Sequence, residues 1–384
     1  MKSIQRFGLL NVLFAGMLLF PAYRSQETIR YFQTQTISLQ PDTIQAYIVD
    51  FKDDVDNDTL FQARSKEGYP VLYFRKIKTS VCFDNKCRLL DIVVYWNVTG
   101  RYLGYELPKG EFLSKTEHEP FKPEEYNRLS DLLSDPLSPL ANFSYEELVP
   151  KPASAAGDLD AVSSATAKNV LDYVVEGAVY TTYKLWHIVY GPAQKEVTEL
   201  TEKQLSPGFL LKILESPDAS DKLWALNHIR SYVELTPELQ HVLLGFIDNN
   251  QFNRAERAIH ALSPEALKND ALQLALLEKY GRVNYALKNQ LITKLREAPR
   301  LSNPLKTALA RSLVSANGEL LSNTLDLFQH HRVADPETGR IIAGLLQNDN
   351  NFLSRKAYTY LKNVKIEDRI VEEQLNAYRV KHNL

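Results

Sequence analysis

The hydrophobic pattern of the chain changes character near Gly191. From Gln26 to about Leu113 the apolar residues fall in short runs rich in Val, Ile, Tyr, Phe and Thr: TIRYFQTQTISL, IQAYIVDF, VLYFRKIKT and LLDIVVYWNV. Clusters of Asp, Asn and Gly separate these runs, which predicts β-strands joined by turns. After Gly191-Pro192 the strand formers give way to Leu, Ala, Lys, Glu and Asn. Apolar residues now stand three and four apart, as in FLLKILE, LWALNHIRSYV and LQHVLLGFI. That spacing predicts amphipathic helices. The helices come in pairs, with first members opening near Asp218, Gln251, Val283, Gly318 and Asn350. A period of roughly 31–35 residues marks stacked units, since one pair cannot bury its own apolar face. KLWALNHI, RAERAIHAL, LLSNTLDLF and SRKAYTYLK read as counterparts within them. A helical domain without repeats is the other reading of the same pattern.

Between the two patterns, LGYELPKGEFLSKTEHEPFKPEEYNRLSDLLSDPLSPLANFSYEEL carries turns set by Pro and one short helix from Pro123 to Leu133. VPKPASAAGD is a connector. The predicted fold class is an α+β domain over residues 26–192 followed by an all-α repeat domain over 193–384. The stretch from Leu205 to Leu361 resembles HEAT-like repeats.

The first 25 residues stand outside both domains. Lys2 and Arg6 precede an apolar run from Phe7 to Phe20 that Pro21 ends, the layout of a signal peptide. The run is short for a membrane span of about 20 residues, and an uncleaved anchor is the other reading. Export to the periplasm or another extracytoplasmic space is the expectation. Lys+Arg 45 against Asp+Glu 47 gives a net charge of −2, so bulk charge directs the chain toward neither nucleic acid nor anionic membrane. Twenty Tyr and sixteen Phe suit a stacked ligand better than a charged one.

Two cysteines, Cys82 and Cys87, flank a predicted turn, Phe83-Asp84-Asn85-Lys86, between two strand-like runs. Facing positions in a hairpin come within disulfide range, and an oxidising compartment favours the pairing. A structural clip and a redox-active dithiol are both open. Zinc lacks two further ligands nearby.

The stretch DAVSSAT, residues 160–166, precedes an aromatic, apolar segment of helical length. Small residues around Thr166 leave its hydroxyl unencumbered. A phosphate at a helix N-terminus meets free backbone N–H groups and the positive end of the dipole. Asp160 or Ser163 before a helix also reads as an ordinary N-cap. DAVSSAT resembles the flavinylation motif of the FMN-binding domain found in the C subunit of sodium-pumping NADH:quinone reductase and its relatives. Asp160, Ser163, Ala165 and Thr166 match the family pattern, and Ser164 stands where the family usually has Gly. The resemblance spans roughly Leu89 to Gly191 and is specific only in the motif. It implies FMN joined by a flavin transferase through a phosphodiester to Thr166, with Lys168 adding charge and Asp160 orienting the loop. It further implies an electron-transfer component, rather than a free-standing enzyme, with a redox partner protein that is membrane-bound or soluble. Ser164 adds a side chain where a backbone would approach the ligand.

Other candidates carry less. Tyr180, Tyr183, Trp186 and Tyr190 form one helix stripe, expected in the core with at most one edge toward a flavin ring. His187, His118 and the His330-His331 pair have no partners at metal-ligand spacing, and no G-x-S-x-G, H-E-x-x-H or Walker loop occurs. Asn57, Asn97 and Asn142 head N-x-S/T triplets that a bacterial chain would not use. The rival to the flavin reading is a non-catalytic periplasmic scaffold with a degenerate flavin domain and a partner-binding solenoid. For the cysteines, thiol labelling of denatured, unreduced protein should find no free thiol, and reduction should lower stability by only about 2 kcal/mol because the closed loop is short. Two thiols labelled in freshly isolated protein would exclude the clip.

Overall fold

The computed structural model describes residues 28–32, 35–53, 55, 57–81, 88–115, 118–148, 170–248 and 251–384. Six strands form one antiparallel sheet: β1 (Arg30–Phe32), β2 (Thr43–Ile48), β3 (Thr59–Arg64), β4 (Pro70–Thr79), β5 (Leu90–Asn97) and β6 (Tyr102–Glu106). Their order is β1-β6-β5-β4-β3-β2, so β2 to β6 run as a meander and β1 closes the far edge beside β6. The predicted hairpin is present as β4 and β5, whose pairing extends to Thr79 opposite Leu90. Two strands, β3 and β6, were not anticipated. The long first run contributes only the three residues of β1, because the chain must then cross to the opposite edge to begin β2.

One face of the sheet is the core. Tyr73, Arg75 and Ile77 of β4 and Ile92, Val94 and Trp96 of β5 alternate onto it and are fully buried. Two helices, α1 (Pro123–Leu133) and α3 (Val179–Val189), cover that face. Trp96 Nε1 donates to the Val189 carbonyl at 2.9 Å, and Tyr105 Oη to the Tyr126 carbonyl at 3.0 Å. The predicted bounds of α1 hold because Pro123 opens it and Glu125 reaches back to the Lys122 amide at 2.7 Å. A four-residue helix, α2 (Tyr145–Leu148), lies between them. Gly104 lets β1 close on β6, since a Cβ there would stand 2.1 Å from the Tyr31 carbonyl oxygen.

Twelve helices follow α3: α4 (Pro192–Glu202), α5 (Pro207–Leu214), α6 (Ala219–Tyr232), α7 (Pro237–Ile247), α8 (Phe252–Ala261), α9 (Asp270–Arg282), α10 (Tyr285–Leu295), α11 (Asn303–Ser312), α12 (Gly318–His330), α13 (Pro336–Gly344), α14 (Asn351–Val364) and α15 (Arg369–His382). The chain is thus an α+β fold with a helical C-terminal part. First helices begin at Ala219, Phe252, Tyr285, Gly318 and Asn351, and second helices at Pro237, Asp270, Asn303, Pro336 and Arg369, every interval being 33 residues. The residue before each second helix is Thr236, Asn269, Ser302, Asp335 or Asp368, all N-cap types. Even-numbered helices α6 to α14 pack in one row and odd-numbered α7 to α15 in another. Ile229, Leu262, Leu295, Phe328 and Leu361 occupy one repeat position and are all buried.

The sheet and the helices meet at a buried carboxylate. Asp221 on α6 is fully buried, at the position that Leu287, Leu320 and Leu353 fill in later repeats. It accepts from Asn97 Nδ2 at 2.6 Å, Thr99 Oγ1 at 3.0 Å, Arg101 Nε at 3.1 Å, Arg101 Nη2 at 2.9 Å and Ser216 Oγ at 2.7 Å. The turn carrying Asn97 to Arg101 sits against α4. Gly100 has φ +81, and a Cβ there would stand 2.7 Å from Thr198 Oγ1. Nearby, Tyr73 Oη accepts from Gln62 Nε2 at 2.6 Å and from Thr201 Oγ1 at 3.0 Å, and Tyr69 stacks on Phe209. Because removing one member of a buried, hydrogen-bonded charge pair strands the other, Asp221→Ala should cost about 3–5 kcal/mol in urea unfolding. A loss below about 1 kcal/mol would show that the joint is not carried by this carboxylate.

Candidate functional site

The residues that the sequence marks for chemistry fall outside the described residues. Asp160, Ser163, Ser164, Ala165, Thr166 and Lys168 all do, as do Cys82 and Cys87 and the N-terminal segment. The described chain stops at Leu148 and resumes at Val170, and both side chains are fully buried. The segment bearing DAVSSAT therefore leaves and re-enters the chain at two anchored points in the core under the sheet.

The aromatic stripe on α3 holds the chain upstream of the first of these points. Trp186 Nε1 donates to the Asp135 carbonyl at 3.0 Å, Tyr183 Oη to Phe143 at 2.9 Å and Tyr190 Oη to Leu133 at 2.8 Å. His187 Nε2 lies 3.3 Å from the Leu140 carbonyl and, as the donor, requires the tautomer protonated on Nε2. Four side chains on one face of α3 thus meet carbonyls between Leu133 at the end of α1 and Phe143 after the 3-10 helix at Pro139–Asn142. These bonds supplement long turn bonds there, such as Phe143 N to the Leu140 carbonyl and Ser138 N to the Asp135 carbonyl, both at 3.4 Å. Of the stripe expected in the core, Trp186 is buried while Tyr180, Tyr183 and Tyr190 are half-buried and pack against the core, the last two because their polar tips reach out to pin the chain that leads into α2.

Downstream of the motif, the side chain of Arg128 on α1 donates to the Asp172 carbonyl. Val175 N donates to Thr182 Oγ1 at 3.1 Å. Lys115 packs against Gly177, where a Cβ would be 3.4 Å from its Cδ, and pairs with Glu125 at 3.0 Å and Glu119 at 3.2 Å. Its hydrogen bond to Glu125 holds Lys115 above the ordinary lysine value. Arg128 and Lys115 are therefore two cations close to the first described residues after the motif. His118 is exposed in a left-handed backbone conformation, φ 63. Among the described residues no group of His, Cys, Asp and Glu has the arrangement of a metal site. Among them, too, no helix is long and apolar enough to cross a membrane.

The sequence reading missed the Asn97–Arg101–Asp221 cluster. Asn97 had figured only as the head of an N-x-T triplet, and its side chain is fully buried. The available signal was Asp221 itself, an acid at the position that Arg254, Leu287, Leu320 and Leu353 take in the later repeats. In the last helix pair a cleft of about 660 Å³ between α14 and α15 combines Tyr358, Leu361 and Ile366 with Lys362, Lys365 and Arg379. It lies four repeats along the solenoid from the sheet joint.

Comparison of the chain with protein-family models and with curated proteins finds no match.

Burial lowers the pKa of His187, outweighing its bond to Leu140, and lowers that of His331, which sits 3.1 Å from the Leu295 carbonyl. Between the depressed folded values and the ordinary value of about 6.5, the unfolded chain binds more protons than the folded one. Stability from these sites is complete above that ordinary value and is lost as pH falls through the folded values. Melting temperature should therefore drop on acidification below about pH 6.5, and His187→Gln should flatten the dependence. An unchanged slope in the variant would remove His187 from this account.

Proposed function

We propose that this chain is an exported flavoprotein that carries FMN covalently on Thr166 and serves extracytoplasmic electron transfer. The observation that carries the reading is the DAVSSAT motif at residues 160–166. Two features of the described residues support it. The flanking residues Leu148 and Val170 are buried in the domain that contains the sheet, so a group on Thr166 is tethered four residues from a fixed point. Arg128, exposed on α1, donates to the Asp172 carbonyl just beyond it, and a phosphodiester is favoured near such a cation. Of the stripe aromatics, Tyr183, Trp186 and Tyr190 are bonded to the Leu133–Phe143 stretch.

FMN, when bound, supplies one- and two-electron redox chemistry, and the protein supplies placement and electrostatics. In this reading Thr166 provides the attachment oxygen, and Ser163, Ser164 and Ala165 keep its surroundings small. Asp160 orients the loop and Lys168 adds charge for the phosphate. The α+β region is an FMN-binding domain, and a HEAT-like array of helix pairs holds it beside a redox partner. The remaining partner is the flavin transferase that loads it.

Intact mass of the protein made with a flavin transferase should exceed the apoprotein by one FMN moiety, with fluorescence that survives denaturation. Thr166→Ala should remove both, while Ser164→Gly should speed loading if the Ser side chain obstructs it. Wild-type protein without flavin in the presence of an active transferase ends the proposal and leaves the scaffold reading. Flavin released on denaturation would replace the covalent bond with a noncovalent site.

A further inference from the structure

The two edges of the sheet are unlike. β1 is three residues long, and α1 lies against it, with Tyr31 stacked on Tyr105 and Tyr126. β2 at the other edge has six residues, TIQAYI, without a charge, a Pro or a register shift. Those devices are what normally stop an edge from pairing with another chain. Ile44 and Ile48 are 64% and 81% exposed.

The backbone polarity of β2 follows from its register. Val49 N donates to the Asp58 carbonyl at 2.8 Å, and the pairing continues as Tyr47 with Leu60 and Gln45 with Gln62. Hydrogen-bonded and non-bonded pairs alternate in an antiparallel ladder. Gln45 and Tyr47 thus turn their amides and carbonyls toward β3, and Ile44, Ala46 and Ile48 turn theirs outward; ahead of the strand the Asp42 amide donates to the Arg64 carbonyl at 2.7 Å. The side chains of those three residues also share one face of the sheet. They continue the row of Phe61, Phe74, Tyr95 and Phe32, in which Phe61 stacks on Phe74 at 4.9 Å.

Charge selects the occupant. Exposed Asp42 and Asp50 bracket the strand, and Asp58 is exposed beside Val49. Arg64, the cation on β3, is engaged with Gln45, Gln62 and the Gly68 carbonyl. In the register that pairs all three outward residues, a second copy would set Ala46 opposite Ala46 and Ile44 opposite Ile48. It would also set Asp42 opposite Asp50 twice, and like charges directly opposed are destabilising. We propose that β2 docks an antiparallel strand of a partner protein, with apolar residues opposite Ile44, Ala46 and Ile48 and Lys or Arg opposite Asp42 and Asp50. This inference does not depend on the flavin.

The probe is the capped, dye-labelled peptide Lys-Thr-Val-Thr-Val-Thr-Val-Thr-Lys, whose lysines match the spacing of Asp42 and Asp50. Fluorescence anisotropy with the full chain should show saturable binding. N-methylation of the three Val, whose amides face β2, should weaken it about tenfold or more. N-methylation of the fourth and sixth residues should leave it intact. Glu in place of both Lys should weaken binding at low salt, and the difference should shrink as salt rises. Ala46→Pro removes an outward amide, which an edge strand tolerates, and should reduce binding with the circular dichroism unchanged. No binding, or equal binding by both N-methylated peptides, overturns the proposal. So does a dimer by light scattering that Ala46→Pro dissociates, since the occupant is then a second copy.

Discussion

A carboxylate taken wholly out of water dictates how the two parts of this molecule meet. Asp221 is surrounded by donors from Asn97, Thr99, Arg101 and Ser216, and only together do they offset the loss of hydration. Three of the four belong to the turn between β5 and β6, so that turn cannot shift without stranding a charge. Gly100 makes the approach to α4 possible by having no side chain. From this joint the sheet is fixed on α4 to α6, and the later helix pairs follow by repetition. Apolar packing would hold the surfaces together without specifying their rotation. The directional bonds at Asp221 specify it.

A second constraint acts at the opposite end of α3. From Leu133, the last residue of α1, to Phe143 the chain makes turns and a 3-10 helix at Pro139–Asn142, and the carbonyls of Leu133, Asp135, Leu140 and Phe143 face side-chain donors. Tyr183, Trp186, His187 and Tyr190 provide them from one helical face while their rings fill the core. Amphipathic aromatic residues serve here because one end is apolar and the other polar. The consequence for function is positional. Both ends of the motif-bearing segment are tied to the layer that backs the sheet, and a group carried on Thr166 would inherit that attachment. The helical array has a different physical role. Its 33-residue period makes each pair the template for the next, which yields a long surface.

Much of this was legible in the residues. The β4–β5 hairpin, α1 and the five starts of the first helices lie where the pattern put them, to within two residues. Local signals suffice there: strand formers around a turn, Pro123 with Glu125, and a capping residue at each period. β3 and β6 were missed because TLFQAR and YLGYE are short and carry Gln, Arg, Gly or Glu within the run. Their strand state comes from neighbours on either side. The aromatic stripe was read as core from its spacing, but its bonding partners lie some 40–57 residues away and leave no local mark.

The sequence by itself determined the order of strand-rich and helical regions, the repeat and the DAVSSAT motif, because each is written in neighbouring residues or in a fixed period. Tertiary structure alone decided that β1 crosses to pair with β6, that Asp221 joins sheet to solenoid, and that β2 is left as an open edge among the described residues. Each of these depends on groups far apart in the chain, such as Asn97 and Asp221, which are 124 residues apart. Hydrogen-bond satisfaction among such groups is a property of the assembled interior, and no local pattern encodes it.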